Sequence, residues 1–334
     1  INFNNISAFD YGIYIHTDVY GDLEINENDI QADITGIRYS SPPPTYYLYG
    51  NAEINDNTID TSANSGDAIV MEHMEIRGTA EMSRNNITAG SDNYGIDLEM
   101  VYSDVMINNN TMTGRYGLHV DYVYGDFSAN NNNITSQFDA IWIEYAYGDA
   151  TTNNNSITIE HENVGYYGIY LENYVYGALN IQNNTIHIDD HDTGIGIDAY
   201  VYGKATILRN VIYKTPPLPC MWAGIYINNW IGPHSLIAHN TVSQANNYGI
   251  YIGTTVPNTI AVKNNIIVGT SNATTIGIYG GVSGNCTQGV GYNDLWTCNL
   301  TLSTYNPAYG DISADPMFAD PTEGDFRLQE GSPC

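Results

Sequence analysis

Aliphatic residues recur along this chain at intervals of two, not at helical spacing. In the stretch "GNAEINDNTI" (50–59), Ala52 and Ile54 alternate with Glu53, and Asn57 and Ile59 repeat the inward pattern after a corner. The same alternation appears at Leu23/Ile25, Ala80/Met82, Val105/Ile107, Phe127/Ala129, Leu179/Ile181 and Ala205/Ile207. A period of two carried by β-forming residues predicts short strands with one buried face.

Three phrases punctuate these strands. The first is Asn, any residue, then an aliphatic, found at Asn4, Asn28, Asn57, Asn85, Asn110, Asn132, Asn155, Asn184, Asn210, Asn240, Asn265 and Asn293, with spacings of 22 to 30 residues. The second is a Gly-Ile-x-Ile element, as in "GIYI" at 12, 224 and 249, "GIDL" at 95, "GLHV" at 117 and "GIYL" at 168. The third is the tyrosine phrase "YVYG" at 122, 174 and 200, with relatives "YYLYG" at 46 and "EYAYG" at 144. From the residue that closes this phrase to the aliphatic of the Asn-x-aliphatic phrase there are 9 residues in eight successive copies, then 10 in two, from Gly232 and Pro257. Length varies only between the Asn-x-Ile and Gly-Ile elements. Self-similarity of this period marks a solenoid. The pattern predicts an all-β, parallel solenoid of about 12 coils with three short strands each, at roughly 4.8 Å per coil.

The "NNTI", "NNNI" and "GIYI" phrases resemble right-handed parallel β-helix repeats of the pectin-lyase-like superfamily, over nearly the whole chain. The tail "ADPMFADPTEGDFRLQEGSPC" (314–334) resembles a closing motif of secreted microbial β-helix proteins. The resemblance implies a β-helix over 1–300 and a closing segment over 301–334 packed on the last coils. The opening Ile1 and the abrupt final Cys334 lead us to expect a piece of a longer or processed protein.

A solenoid turns each repeated position into a row. Asn28, Asn57, Asn85, Asn110, Asn132, Asn155, Asn184, Asn210, Asn240 and Asn265 predict an internal amide ladder. Two rows of tyrosine are expected to face outward: Tyr20, Tyr49, Tyr102, Tyr124, Tyr147, Tyr176 and Tyr202, interrupted by Arg77, and Tyr47, Tyr122, Tyr145, Tyr174 and Tyr200. Self-packing, a protein contact surface and sugar binding all fit such a strip. An acidic row follows four residues after each Gly or Ala of the Gly-Ile element: Glu72, Glu99, Asp121, Glu144, Glu172 and Asp198. Like charges stacked this closely attract cations or stay solvated. Calcium is the expected ion, and Asp189, Asp190 and Asp192 beside His191 form a second acidic candidate; no cofactor is required by anything in the sequence.

Composition then narrows function. With 37 acidic residues against 9 basic ones, the net charge is −28. That argues against nucleic acid and anionic membrane surfaces as partners, and no apolar run reaches the roughly 20 residues of a membrane span. Of four cysteines, Cys286 and Cys298 are near enough in sequence to pair. Sequons at Asn272, Asn285 and Asn299, and at Asn5, Asn86, Asn109, Asn133, Asn154 and Asn183, offer glycosylation sites, the last six as by-products of the corner. An acidic, lysine-poor, Asn-rich composition fits an extracellular or cell-surface protein.

The superfamily resemblance brings polysaccharide lyases, hydrolases and epimerases into view. Their basic constellations, Gly-His-Gly and Arg-x-Lys sets and Asp-Pro-His motif are absent, and the nine cations are scattered: Arg38, Arg77, Arg84, Arg115, Arg209, Arg327, Lys204, Lys214 and Lys263. A carboxylate pair for glycoside hydrolysis could be drawn from any acidic ladder. The central coils, 95–210, are the most regular. The sequence therefore favours a non-catalytic structural building block that self-associates through its tyrosine strip, with a carbohydrate-active or carbohydrate-binding β-helix as the alternative.

Overall fold

The computed structural model describes residues 1–40, 46–63, 66–72, 74–90, 93–160, 165–188, 192–215, 221–253, 260–270, 275–280, 290–298 and 310–334. They make about 10 turns of a parallel β-solenoid, close to the expected dozen. The Asn-x-aliphatic phrase at Asn4 already belongs to the stack: Asn5–Ala8 pairs parallel and in register with Asp29–Ala32, and the Asn4 amide donates to Asn28 Oδ1 at 3.1 Å. Two compact units emerge: Ile1–Ile157 with Leu171–Tyr176, and Thr158–Tyr170 with Gly177–Cys334.

In the first unit, the strands Leu23–Asn26, Ala52–Asn55, Ala80–Ser83, Val105–Asn108, Phe127–Asn130 and Ala150–Asn153 pair parallel and in register. After the corner come Asp29–Ala32, Thr58–Asp60, Asn86–Thr88, Thr111–Gly114 and Asn133–Ser136. The third face is Tyr11–Ile15, Thr35–Ser40, Asp67–Glu72, Tyr94–Val101, Tyr116–Val123 and Ile141–Ala146. Alternation decides what is inside. Ala52, Ile54, Ile59, Ile87, Ile134 and the middle valine of the tyrosine phrase, Val123, are at most 1% exposed. Tyr39 also points inward, and its hydroxyl donates to the Thr17 carbonyl at 2.9 Å.

The amide ladder forms as expected. Asn28, Asn57, Asn85, Asn110 and Asn132 each donate from backbone N to the side-chain oxygen of the next asparagine, up to Asn155, at 2.9–3.0 Å. The residue before each ladder asparagine takes a left-handed conformation, as at Glu27, Asp56, Arg84, Asn109, Asn131 and Asn154. Asparagine tolerates that region better than most residues, so the "NN" phrase has a separate reason for each Asn. Two further rows went unrecognised in the sequence. Asn26, Asn55 and Ser83, like Asn108, Asn130 and Asn153, chain side-chain oxygen to backbone N on the strands. At the tyrosine corner, Asp104 accepts from the Asp126 amide and Asp126 from Asp149.

The second unit repeats this plan with Leu179–Gln182, Ala205–Leu208, Leu236–Ala238, Ala261–Lys263 and Val290–Gly291 on one face. Its other two faces hold Thr185–Ile188, Val211–Tyr213, Ile266–Gly269 and Asp294–Trp296, then Thr193–Ile197, Met221–Ile227 and Ile276–Gly280; the long strand Thr241–Ile252 serves both. Its ladder runs Asn184, Asn210, Asn240, Asn265, Asn293 and ends on Asp311, whose carboxylate accepts from the Asn293 amide at 2.8 Å.

The tail then folds back on this unit. Phe318–Asp320 and Asp325–Leu328 form an antiparallel pair, Phe326 packs its ring 5.1 Å from Tyr213, and Cys334 donates to Asp294. Asp189, Asp190, Cys286, Asn272, Asn285 and Asn299 lie outside the described residues. Cys298 carries a free thiol, pushed up to about 12 by burial.

Candidate functional site

Two outward features of the first unit carry candidate chemistry. The first is the tyrosine strip. Tyr20 lies 5.1 Å from Tyr49; Tyr102, Tyr124, Tyr147 and Tyr176 follow at 4.6, 4.7 and 4.9 Å between ring centres, all within 9° of parallel. Arg77 interrupts the row without breaking it, because its guanidinium sits over the rings of Tyr47 and Tyr102 at 5.3 and 4.8 Å. The second row stacks Tyr122 on Tyr145 at 4.5 Å, with Tyr174 at 5.8 Å. Rings stacked this way spend their faces on each other and present rims to solvent. That geometry disfavours sugar stacking along the strip, which needs an open ring face. Tyr200 and Tyr202 are exposed on the second unit.

The second feature is a break in the repeat. Two residues after the Gly of the Gly-Ile element stands tyrosine in many copies (Tyr14, Tyr170, Tyr226, Tyr251), whereas successive coils of this unit carry Arg38, Val70, Asp97, His119 and Trp142. Strand pairing stacks these five in one row. The expected acidic row lies two residues further along each strand, also outward, so the two rows meet side by side.

The acids thereby acquire partners. Arg38 pairs with Glu72 at 2.8 Å, Trp142 Nε1 donates to Glu172 at 3.0 Å, and Asn173 reaches Glu144 at 3.5 Å. His119 is the centre. Its Nδ1 lies 2.9 Å from Asp97 Oδ1, and its Nε2 lies 2.9 Å from Asp121 Oδ1 and 3.5 Å from Glu144 Oε1. The ring sits between Tyr94 at 5.2 Å and Trp142 at 4.2 Å. Glu99 also has a partner. In the second unit, Asp198 accepts from the Tyr170 hydroxyl at 3.3 Å, and Asp192 is buried, capping the Gly165 and Tyr166 amides. Asp192 thus serves the backbone there.

Burial by itself would lower the His119 pKa, but the facing carboxylates of Asp121 and Asp97 outweigh it and push the imidazole up to about 10. Burial raises Glu144, and the charges of Asp121 and Glu172 add to the shift. Asp67, half-buried beside Tyr94, is pushed up to about 6 by the loss of water around it, although it accepts from the Tyr94 amide at 2.9 Å. Among the described residues, His119, Asp121 and Glu144 offer three ligand atoms within 4.8 Å of one another. Reading rows of identical residues missed His119 and Asp97. The signal that finds them is the loss of tyrosine at one repeat position over consecutive coils.

A family model described as the right-handed beta helix region matches residues 116–290. No curated protein and no solved structure matches the chain.

Proposed function

The chain belongs to the right-handed β-helix family, and from that footing we propose that it is a non-catalytic structural building block of the cell exterior that associates with further copies of itself through the tyrosine strip. The observation that supports this reading most is the ladder of parallel rings with exposed rims: Tyr20, Tyr49, Tyr124, Tyr147 and Tyr176 are 39–80% exposed. A row with the spacing of stacked coils is best complemented by a surface with the same spacing, and a second copy supplies it. Tyrosine rims combine apolar edge and hydroxyl, a composition common at interfaces. The net charge of −28 opposes association, so contact depends on screening.

The test is sedimentation of the chain against a variant with Tyr124→Ser and Tyr147→Ser. The wild type should associate at moderate salt, and the variant should associate at least about tenfold more weakly, a difference of about 1.4 kcal/mol. A wild type that stays monomeric up to about 1 mM, the range of −4 kcal/mol affinities, would remove the reading. A second reading, carbohydrate recognition, is favoured by Trp142 and Tyr94 standing among carboxylates at the break in the repeat. Binding on a glycan array that is lost in Trp142→Ala, together with activity in reducing-end or unsaturated-product assays, would favour it over self-association.

A further inference from the structure

We propose that His119, Asp121 and Glu144 form a binding site for one divalent transition-metal ion of the zinc class, with Asp97 as the residue that positions the histidine. The three donor atoms, Nε2, Oδ1 and Oε1, converge within 4.8 Å. His119 is only 9% exposed.

Hydrogen-bond geometry separates a metal site from a plain ion pair. His119 Nε2 and Asp121 Oδ1 are 2.9 Å apart, yet both atoms are buried and neither has a hydrogen-bond partner. Two donors this close but misaligned for a proton are oriented as ligands of a shared third body. Imidazole and carboxylate ligand atoms about 2.0–2.2 Å from one ion lie roughly 3–3.5 Å from each other. The separations of 2.9 and 3.5 Å from Nε2 fall in or beside that range.

The surroundings also follow the logic of a metal site. A ligating histidine usually donates its other ring N–H to a carboxylate, which sets the tautomer and aims the lone pair. Here Asp97 Oδ1 stands 2.9 Å from Nδ1. Tyr94 and Trp142 clamp the ring from both sides, and Glu172 holds the Trp142 indole. A site built on adjacent strands of a rigid sheet, with ring orientation fixed, is preorganised. One imidazole with two carboxylates suits zinc, manganese, iron or cobalt, whereas calcium prefers six to eight oxygens. Three protein ligands leave positions for water or an external donor.

The test uses the full chain, stripped with a chelator and titrated with Zn²⁺ alone in excess Mg²⁺, followed by calorimetry. One tightly held equivalent is expected. His119→Ala should abolish it, and Asp97→Asn should weaken it by about 10- to 100-fold. X-ray absorption on the zinc-loaded wild type should show a single imidazole among oxygen ligands, a readout that needs no variant to fold. The proposal is overturned if His119→Ala binds like the wild type, if no imidazole is seen, if Ca²⁺ displaces Zn²⁺ at equal concentration, or if no zinc is held against Mg²⁺. Any of these leaves the cluster as an ion pair on an acidic surface. None of them bears on self-association through the tyrosines, so the two proposals fail separately.

Discussion

Asn110 shows what one residue of the ladder carries. It donates from N and Nδ2 to Asn132 Oδ1 and from Nδ2 to the Met82 carbonyl, while its own oxygen accepts from N and Nδ2 of Asn85. It is 1% exposed, so water cannot replace these partners. Asn110→Ala strands several buried groups at about 1–3 kcal/mol each, and the expected loss is about 3–5 kcal/mol. A lowered unfolding midpoint and faster hydrogen exchange at the Asn85 amide would show it; unchanged exchange would mean the row is dispensable. Asp67 gives the opposite sign. Its folded carboxyl keeps a proton up to about pH 6, whereas an unfolded aspartate loses it near pH 3.9. Between these values the folded state binds more protons, so stability falls as pH rises through that window, by about 3 kcal/mol at most. Asp67→Asn keeps the acceptor for the Tyr94 amide and removes the charge. Thermal melts should place the variant above the wild type at pH 7 and level with it near pH 4.

At the scale of the element, strands pack only where the backbone can approach. In the second unit a Cβ on Gly168 would stand 2.7 Å from the Gly194 carbonyl oxygen and 2.5 Å from Ile186 Cγ2. The Gly-Ile phrase therefore records close contact between a strand and the coil above it. Gly168→Ala should cost about 1–3 kcal/mol through overpacking, seen as a lower melting temperature. A neutral result would show that the strand can shift. The tyrosine rows are elements in the same sense: each stacked pair adds about 0.5–1.5 kcal/mol beyond burial. They hold the outer edge of the sheet even where no partner docks, and so the strip has a structural role whether or not it is a contact surface.

For the whole molecule the dominant long-range quantity is charge. At −28, mutual repulsion between copies is screened within about 10 Å at 0.1 M salt and extends about 30 Å at 0.01 M. Self-association through the tyrosines should therefore strengthen as sodium chloride rises from about 0.01 to 0.1 M. Light scattering across that series measures it; association that weakens with salt would point to charge-driven contact and away from the aromatic strip. Local pairing softens the repulsion within the first unit, because Arg38, His119 and Trp142 each take up an acid of the neighbouring row.

The sequence by itself determined the coil. Alternation of two fixes which side chains are buried, and the 9-residue spacing held over eight successive copies fixes where corners fall. The ladder from Asn28 to Asn155 and the outward tyrosines follow, because in a solenoid every repeated position becomes a row. What only the tertiary structure decided is where unlike residues meet. The segment between the Asn-x-Ile and Gly-Ile elements varies in length, so no constant separation links Asp97, His119 and Trp142. Their shared loss of tyrosine at one repeat position can be read along the chain, but that their side chains meet is decided only when pairing stacks them. Ring orientation and hydrogen-bond direction are likewise absent from the sequence, yet they turn tyrosine faces inward on one another and leave His119 Nε2 aimed at Asp121 without a bond. Period is a property of the backbone and can be read along one chain; a site depends on side-chain vectors from separate coils, which become neighbours only when the coils stack.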